Sequence, residues 1–283
     1  MTASAFPRPL PESLLFITLD SCRFDTFDAA ALPNLKGIGP WHCAQAPGTF
    51  TYGSHMAMFM GFTPGVAGRR ESFVNPKYGK VFRMLGGGSR GPGEEWVQLR
   101  GRNVVDGFKA RGYHTLGAAA MNWFNPEKET SLALTQDFAR FFHSGNAFSL
   151  GRQLDWLEQE MLAAPPDRPL FAFLNVGETH VPYYHEGAPW PREVNPCRAW
   201  AGETNDAAEC RRRQRGCAEF IDARLRPLLE AFAGASVFVC GDHGDCWGED
   251  GLWEHGVSHP KTLEVPLVYR LRPLPLPILT SLP

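Results

Sequence analysis

The sequence lacks the marks of several large protein classes. No apolar run approaches the ~20 residues that a membrane span needs. Charge of neither sign dominates: 28 Lys and Arg stand against 30 Asp and Glu, a net of −2. Neither a nucleic-acid groove nor contact with an anionic membrane is therefore expected. The opening MTASAFPRPLPES has no basic stretch followed by a long apolar one, so no secretion leader is read and a cytoplasmic location is expected. The seven cysteines are odd in number and include no Cys-x-x-Cys pair. Free thiols in a reducing compartment are expected rather than a disulfide framework. No internal repeat is found. What is present is core-forming material: of 283 residues, 43% are hydrophobic, 12% aromatic and only 20% charged. That composition excludes global disorder, and the length fits one large or two small domains.

Short apolar runs lie at 13–20 (SLLFITLD), 115–120, 169–176, 236–241 and 265–270. Such near-continuous runs suit strands covered on both faces, as in a parallel sheet under helices. Helical periodicity falls between them, at Val104, Val105 and Phe108, at Leu150, Leu154, Leu157 and Met161, and at Ile221, Leu225, Leu228, Leu229 and Phe232. Pro227 is expected to kink or split the last of these. The alternation predicts a layered α/β domain. Two irregular excursions are expected. One spans about 65–100 and contains the Gly-rich run at 85–95. The other, at 181–210, holds Pro182, Pro189, Pro191 and Pro196 and is read as either a lid or a plain surface loop. The run CRRRQRG at 210–216 reads as a solvated helix face.

Polar residues close two of the apolar runs: Asp20 ends the first, and Asp242 with His243 ends SVFVCG. Ligands bind outside the carboxyl ends of strands in open α/β sheets. A carboxylate there needs a partner, which a metal or a helix N-terminus can supply. Together the three residues offer two carboxylates and an imidazole, a donor set for a divalent ion. The segment APGTFTYGSHMAMFMGFTP at 46–64 runs from a loop into an apolar stretch and places Thr51 near a helix start. There Thr51 or Ser54 can cap the helix. Alternatively, the hydroxyl of Thr51 can be a nucleophile facing an anion on the helix N-terminus. Five of the nine histidines (His180, His185, His243, His255, His259) fall between 180 and 259 in Gly- and aromatic-rich loops, open to structural or functional roles.

Taken in order, four segments resemble the sulfatase-like branch of the alkaline phosphatase superfamily: LLFITLDSCRFDTF, APGTFTYGSHMAMFMGFTP, FAFLNVGETHVPYYH, and VFVCGDHGDCWGEDGLWEHG followed by VPLVYR. They match its metal-binding opening strand, its nucleophile segment, its His-x-Pro-Tyr element and its Asp-His-Gly motif. The resemblance spans 13–270. It implies a three-layer αβα sandwich with a mostly parallel central sheet, alkaline phosphatase-like, with 1–283 as a single catalytic domain. It implies one divalent metal on Asp20, Thr51, Asp242 and His243. Mn or Zn is preferred over Ca or Mg, and a second ion is left open. Thr51 is implied as nucleophile and His180 and His255 as catalytic groups near the leaving oxygen. His55, Asn122 and Glu178 are implied as substrate-binding positions, with Arg23 and Asp25 as buttresses.

The departures from the family matter as well. Thr51 cannot become formylglycine, because its methyl group blocks an aldehyde at Cβ, and TYGSH lacks the Pro and Arg of that modification motif. Sulfate-ester hydrolysis is therefore not the main expectation. The expected activity is metal-dependent hydrolysis of a small-molecule phosphate ester, by a phosphatase or phosphodiesterase working through phospho-Thr51. The alternative is a phosphoryl or phospho-alcohol transferase of the same superfamily. A sulfuric ester hydrolase and a non-catalytic binding protein stand behind these. Oligomeric state is not legible.

Overall fold

The computed structural model describes residues 6–61, 102–199 and 204–273. The expected excursion at 65–100 lies outside the described residues. In chain order the elements are β1 (Leu14–Leu19), α1 (Phe24–Ala29), α2 (Pro33–Lys36), β2 (Trp41–Gln45), α3 (Thr51–Met60), α4 (Val104–Ala110), β3 (His114–Ala119), α5 (Glu129–Thr135) and β4 (Arg140–His143). Then follow α6 (Leu150–Ala163), β5 (Leu170–Val176), α7 (Ala207–Ala231), β6 (Ser236–Gly241), β7 (Cys246–Trp247), β8 (Trp253–Glu254), α8 (Pro260–Leu263) and β9 (Glu264–Arg270).

Seven strands form one sheet in the order β2-β9-β6-β1-β5-β3-β4. The run β6-β1-β5-β3-β4 is parallel throughout, and β9 is antiparallel to both β6 and β2. All five strands read from apolar runs are present. The two edge strands, β2 and β4, are not legible in that way. β2 (WHCAQ) is exposed along most of its length and β4 has only four residues, so neither carries a buried apolar face.

Alternation along the central strands sorts side chains into two cores, as the two-residue period of a strand requires. Leu15, Ile17 and Leu19 of β1 and Leu170, Ala172 and Leu174 of β5 face a core closed by Leu154 and Leu157 of α6 and Ile221, Leu225 and Leu228 of α7. Phe16, Phe171 and Phe173 face the other side, under Tyr52, Met56 and Phe59 of α3 and Val105 of α4. Helices on both faces of a mostly parallel sheet make the expected αβα layers.

Helix α7 runs unbroken across Pro227, contrary to expectation. The missing N–H lies four residues before the last residue of the helix, Ala231, and the neighbours Leu225, Leu228 and Leu229 are all buried on the sheet. Their burial offsets the ~3 kcal/mol a helical proline costs. The 210–216 run is also only partly solvated. Arg213 and Gln214 are buried, and Arg213 ties Glu209 to the carbonyls of Pro191 and Val194. The stretch 181–199 packs its own small core, with Tyr183, Trp190 and Cys197 against Cys210, Cys217 and Trp247. The cysteines are free thiols, and all but Cys43 are buried.

Candidate active site

Strand register brings the two acidic strand ends together. Leu19 of β1 pairs with Gly241 of β6 and with Val176 of β5, so Asp20 and Asp242 leave the sheet at the same level. The chain turns sharply after Asp20. Ser21 takes a left-handed backbone (φ 58°), a conformation costing of order 1–3 kcal/mol for a non-glycine residue. That turn aims Ser21 N–H at Asp242 Oδ1, which it reaches at 3.1 Å, and His243 N–H donates to the same oxygen at 2.9 Å. Gly244 follows because a Cβ at that position would collide with the Lys261 carbonyl oxygen.

Thr51 is the first residue of α3, and the preceding Phe50 offers no side-chain cap. The Thr51 hydroxyl is therefore not used in capping. It donates to Asp20 Oδ2 at 3.2 Å and lies 3.4 Å from His243 Nε2. Ser54 Oγ likewise caps nothing: it is buried without a described partner. The helix ends at Gly61, whose φ of +67° needs no Cβ.

The donor set fits a cation. Ligand atoms of Asp20, Asp242 and His243 lie within 4.8 Å of one another, and all three residues are buried. Asp242 Oδ2 has no hydrogen-bond partner. Burial and the Asp20 charge push the Asp242 carboxyl well above the usual carboxylate range. Burial also raises Asp20, but the surrounding imidazoles of His180, His243, His55 and His255 outweigh it and hold Asp20 low. Burial pushes His243 down to about 3, with the His255 charge acting in the same sense, so its ring is neutral as a metal ligand must be. Two buried carboxylates facing each other, one with a bare oxygen, are the electrostatic situation a divalent ion relieves.

In a second trio, His243, Asp245 and His255, ligand atoms also lie within 4.8 Å of one another. Here Asp245 is already engaged. Its Oδ1 lies 2.7 Å from His255 Nδ1, and its Oδ2 accepts from the Tyr183 hydroxyl at 2.8 Å. Trp247 Nε1 donates to that hydroxyl at 2.8 Å, and the Arg23 guanidinium lies 3.9 Å from the Trp247 ring centre. Burial disfavours the charged form of His255, yet Asp245 outweighs it and the net shift is upward. His255 sits 4.5 Å from His243 and 5.1 Å from His180, ring centre to ring centre. His180 Nδ1 is taken up by the Val181 carbonyl at 2.8 Å.

The remaining expected residues fall elsewhere. His55 lies beneath Thr51, fully buried, with Nδ1 2.7 Å from the Thr51 carbonyl and Nε2 2.9 Å from Thr18 Oγ1. It packs edge-on against Phe124 and Phe173, and burial pushes it down to about 4. Its place is under the first turn of α3, away from solvent. Glu178 is buried and accepts from Leu150 N–H at the start of α6, with Oε2 unpartnered. Asn122 is exposed on a cleft that His180 also lines. Arg23 pairs with Asp25 and Glu249 and bonds the Asp245 carbonyl, which ties the first loop to the Asp-His-Gly loop. His185 stacks on Phe220, and His259 caps α8.

Asp245, Gln214 and Asn175 are missed by sequence reasoning. Asp245 carries a signal, the second acid of GDHGD two residues beyond His243. Asn175 closes the run FAFLN within an otherwise apolar strand and reaches Thr18 and Asp20. Gln214 has no local signal: it braces the carbonyls of Ser21, 193 residues away, and Thr179, 35 residues away.

No protein-family model matches the chain, and no curated protein sequence matches it. Solved structures do. The periplasmic C-terminal domain of the phosphoethanolamine transferase EptC from Campylobacter jejuni aligns with TM-score 0.59 and 13% identity, over 95% of this chain and 81% of that one. The corresponding Escherichia coli domain, in complex with Zn, aligns with TM-score 0.60 and 12% identity, over 95% and 77%. An alkaline phosphatase superfamily protein from Vibrio parahaemolyticus aligns with TM-score 0.53 and 13% identity, over 96% and 64%. The fold is that of the alkaline phosphatase superfamily. Within that superfamily fold, the Asp20–Thr51–Asp242–His243 group lies where the parallel strands of the sheet end. The comparison overturns the cytoplasmic expectation, since two of these structures are periplasmic domains. The expectation of no membrane partner, drawn from the balanced charge and the lack of a long apolar run, is not supported by these neighbours. No helix among the described residues is long and apolar enough to cross a membrane.

Proposed function

We propose that this chain is a metal-dependent enzyme that moves a phosphoryl or phospho-alcohol group from an anionic ester to an alcohol, with Thr51 as the covalent carrier. The observation that carries this reading is the Thr51 hydroxyl at a helix N-terminus, 3.2 Å from Asp20 and 3.4 Å from His243, beside the bare Asp242 oxygen. Likeness to two phosphoethanolamine transferase domains favours an alcohol acceptor over the water of simple hydrolysis. The same likeness favours action on the periplasmic or extracellular side. Residues 1–283 would act as one catalytic unit.

Asp20, Thr51, Asp242 and His243 would hold one divalent ion, with Zn or Mn suited to the mixed carboxylate and imidazole set. Bound there, the ion would favour the Thr51 alkoxide and neutralise phosphoryl charge. Thr51 Oγ1 attacks phosphorus in line, with Asp20 on the path along which its proton leaves. The N–H groups of the first turn of α3 face the phosphoryl oxygens. The P–O bond to the leaving alcohol breaks as His255 or His180 protonates that oxygen. Asp245 occupies Nδ1 of His255 and leaves Nε2 for this transfer. An acceptor alcohol then attacks phospho-Thr51 and gives its proton to the same histidine; the Thr51–P bond breaks, and Thr51 Oγ1 takes back along the Asp20 path the proton it gave up.

The test is nitrophenolate release from a 4-nitrophenyl phosphodiester by Zn-loaded protein, with and without glycerol as acceptor, beside Thr51→Ala. Release should rise with glycerol and fall by several orders of magnitude in the variant. Retained turnover in Thr51→Ala would sink the assignment. Turnover indifferent to glycerol would return the chain to the hydrolase reading.

A further inference from the structure

Beside His180 lies a cleft of about 380 Å³, open on one side and walled by the ends of β3 and β4 and by the 181–199 stretch. Its polar lining is one-sided in charge. Arg192, His143 and Asn122 face it, and no Asp or Glu lines it among the described residues. Arg192 is held over the Phe148 ring at 4.9 Å, and Phe148 is itself set edge-on against Tyr184 at 5.7 Å. Among the described residues no carboxylate pairs with Arg192, whereas Arg140, Arg212, Arg213 and Arg215 each have one. His143 Nε2 is buried with no hydrogen-bond partner. Met121, Phe148, Val181 and Pro182 complete the apolar walls.

An arginine without a carboxylate, steadied by an aromatic face, is an anion receptor in waiting, because a guanidinium binds carboxylate or phosphate through two parallel hydrogen bonds. The Asn122 amide supplies a further polar contact beside it. An ammonium group entering the same cleft would meet a cation and no counter-charge. Because His180 belongs both to the cleft and to the catalytic cluster, a ligand in the cleft is continuous with the reacting phosphorus.

We infer that this cleft is the subsite for the non-reacting, leaving-group side of the substrate and that it selects a group bearing a second negative charge, with Arg192 as the residue that determines the choice. The inference rests on the phosphoryl-transfer reading above for which ester is bound, but it concerns recognition and is tested by binding.

Three non-hydrolysable phosphonates serve as probes: benzylphosphonate, its 4-carboxy derivative and its 4-trimethylammonio derivative. Calorimetry on the Zn-loaded protein should find the carboxylate bound about tenfold more tightly than the ammonium compound, as one charge-assisted pair provides. Arg192→Gln should abolish that preference, and Arg192→Lys should keep part of it. Arg192 is exposed, so neither change threatens folding. Equal affinities in the unaltered protein, a preference untouched by Arg192→Gln, or no binding of any of the three would overturn the inference. Thr51-dependent release from 4-nitrophenyl phosphate, measured alongside, separates the two readings. Turnover without charge preference removes only the subsite, and charge preference without turnover removes only the transfer chemistry.

Discussion

Replacing Asp245 with asparagine isolates proton delivery from the rest of the site. The substitution keeps the side-chain shape, and the asparagine carbonyl can still accept from the Tyr183 hydroxyl. What it removes is the negative charge 2.7 Å from His255 Nδ1 in a buried setting. A hydrogen bond to a charged group is worth about 1.5–3 kcal/mol, so losing it should lower proton transfer from His255 by roughly 10- to 150-fold. The effect should depend on the leaving group. Nitrophenolate departs without a proton, whereas an alkoxide does not. The assay is therefore kcat/KM, which reports only the transfer to Thr51 and departure of the first alcohol, for a 4-nitrophenyl ester against the matching alkyl ester in both proteins. Asp245→Asn should lose little on the first and the full factor on the second. Thermal unfolding of the variant serves as a control for folding. An equal loss on both esters would mean that Asp245 merely supports the loop, and no loss on either would remove His255 as the acid.

Other consequences follow from the same geometry. Asp242→Asn should raise the melting temperature of metal-free protein, since a buried charge facing Asp20 is removed, while equilibrium dialysis should show Zn binding weakened by orders of magnitude. Glu178 is pushed up to about 7 by burial from an ordinary value of 4.5. Its contribution is full below pH 4.5 and is lost as pH rises through 7, amounting to about 3 kcal/mol. In Glu178→Gln, the decline in stability between those pH values, followed by urea unfolding, should flatten. Phe173 touches Phe16, His55, Phe59, Phe124 and Phe138, so Phe173→Ala should destabilise by about 3–5 kcal/mol, read from the same unfolding curves.

The central strands were legible because burial on both faces leaves unbroken apolar runs. The edge strands β2 and β4 were not, because one exposed side erases that pattern. Pro227 was misleading for a related reason: the local cost of a helical proline is visible in sequence, and the burial that offsets it is not. His55 shows the same division at the site. It sits four residues beyond Thr51, so that both lie on one face of α3, but whether that face meets solvent or the Phe124–Phe173 core is settled by the sheet beneath it.

The sequence by itself determined the chemistry at each strand end: Asp20 after one apolar run, Asp242-His243 after another, and a hydroxyl at a helix start. Alternation of apolar strands and helices was enough to predict a layered α/β domain, and the resemblance implied its three αβα layers. Only the tertiary structure decided that Leu19 pairs with Gly241, which puts the two carboxylates side by side and leaves one oxygen of Asp242 bare. It alone joined Trp247, Tyr183, Asp245 and His255 into one hydrogen-bonded line and moved Glu178 to the start of α6. The reason is physical. Residue type and local period are properties of a short stretch of chain, whereas charge proximity, burial and hydrogen-bond partners belong to segments that only the register of the sheet brings together.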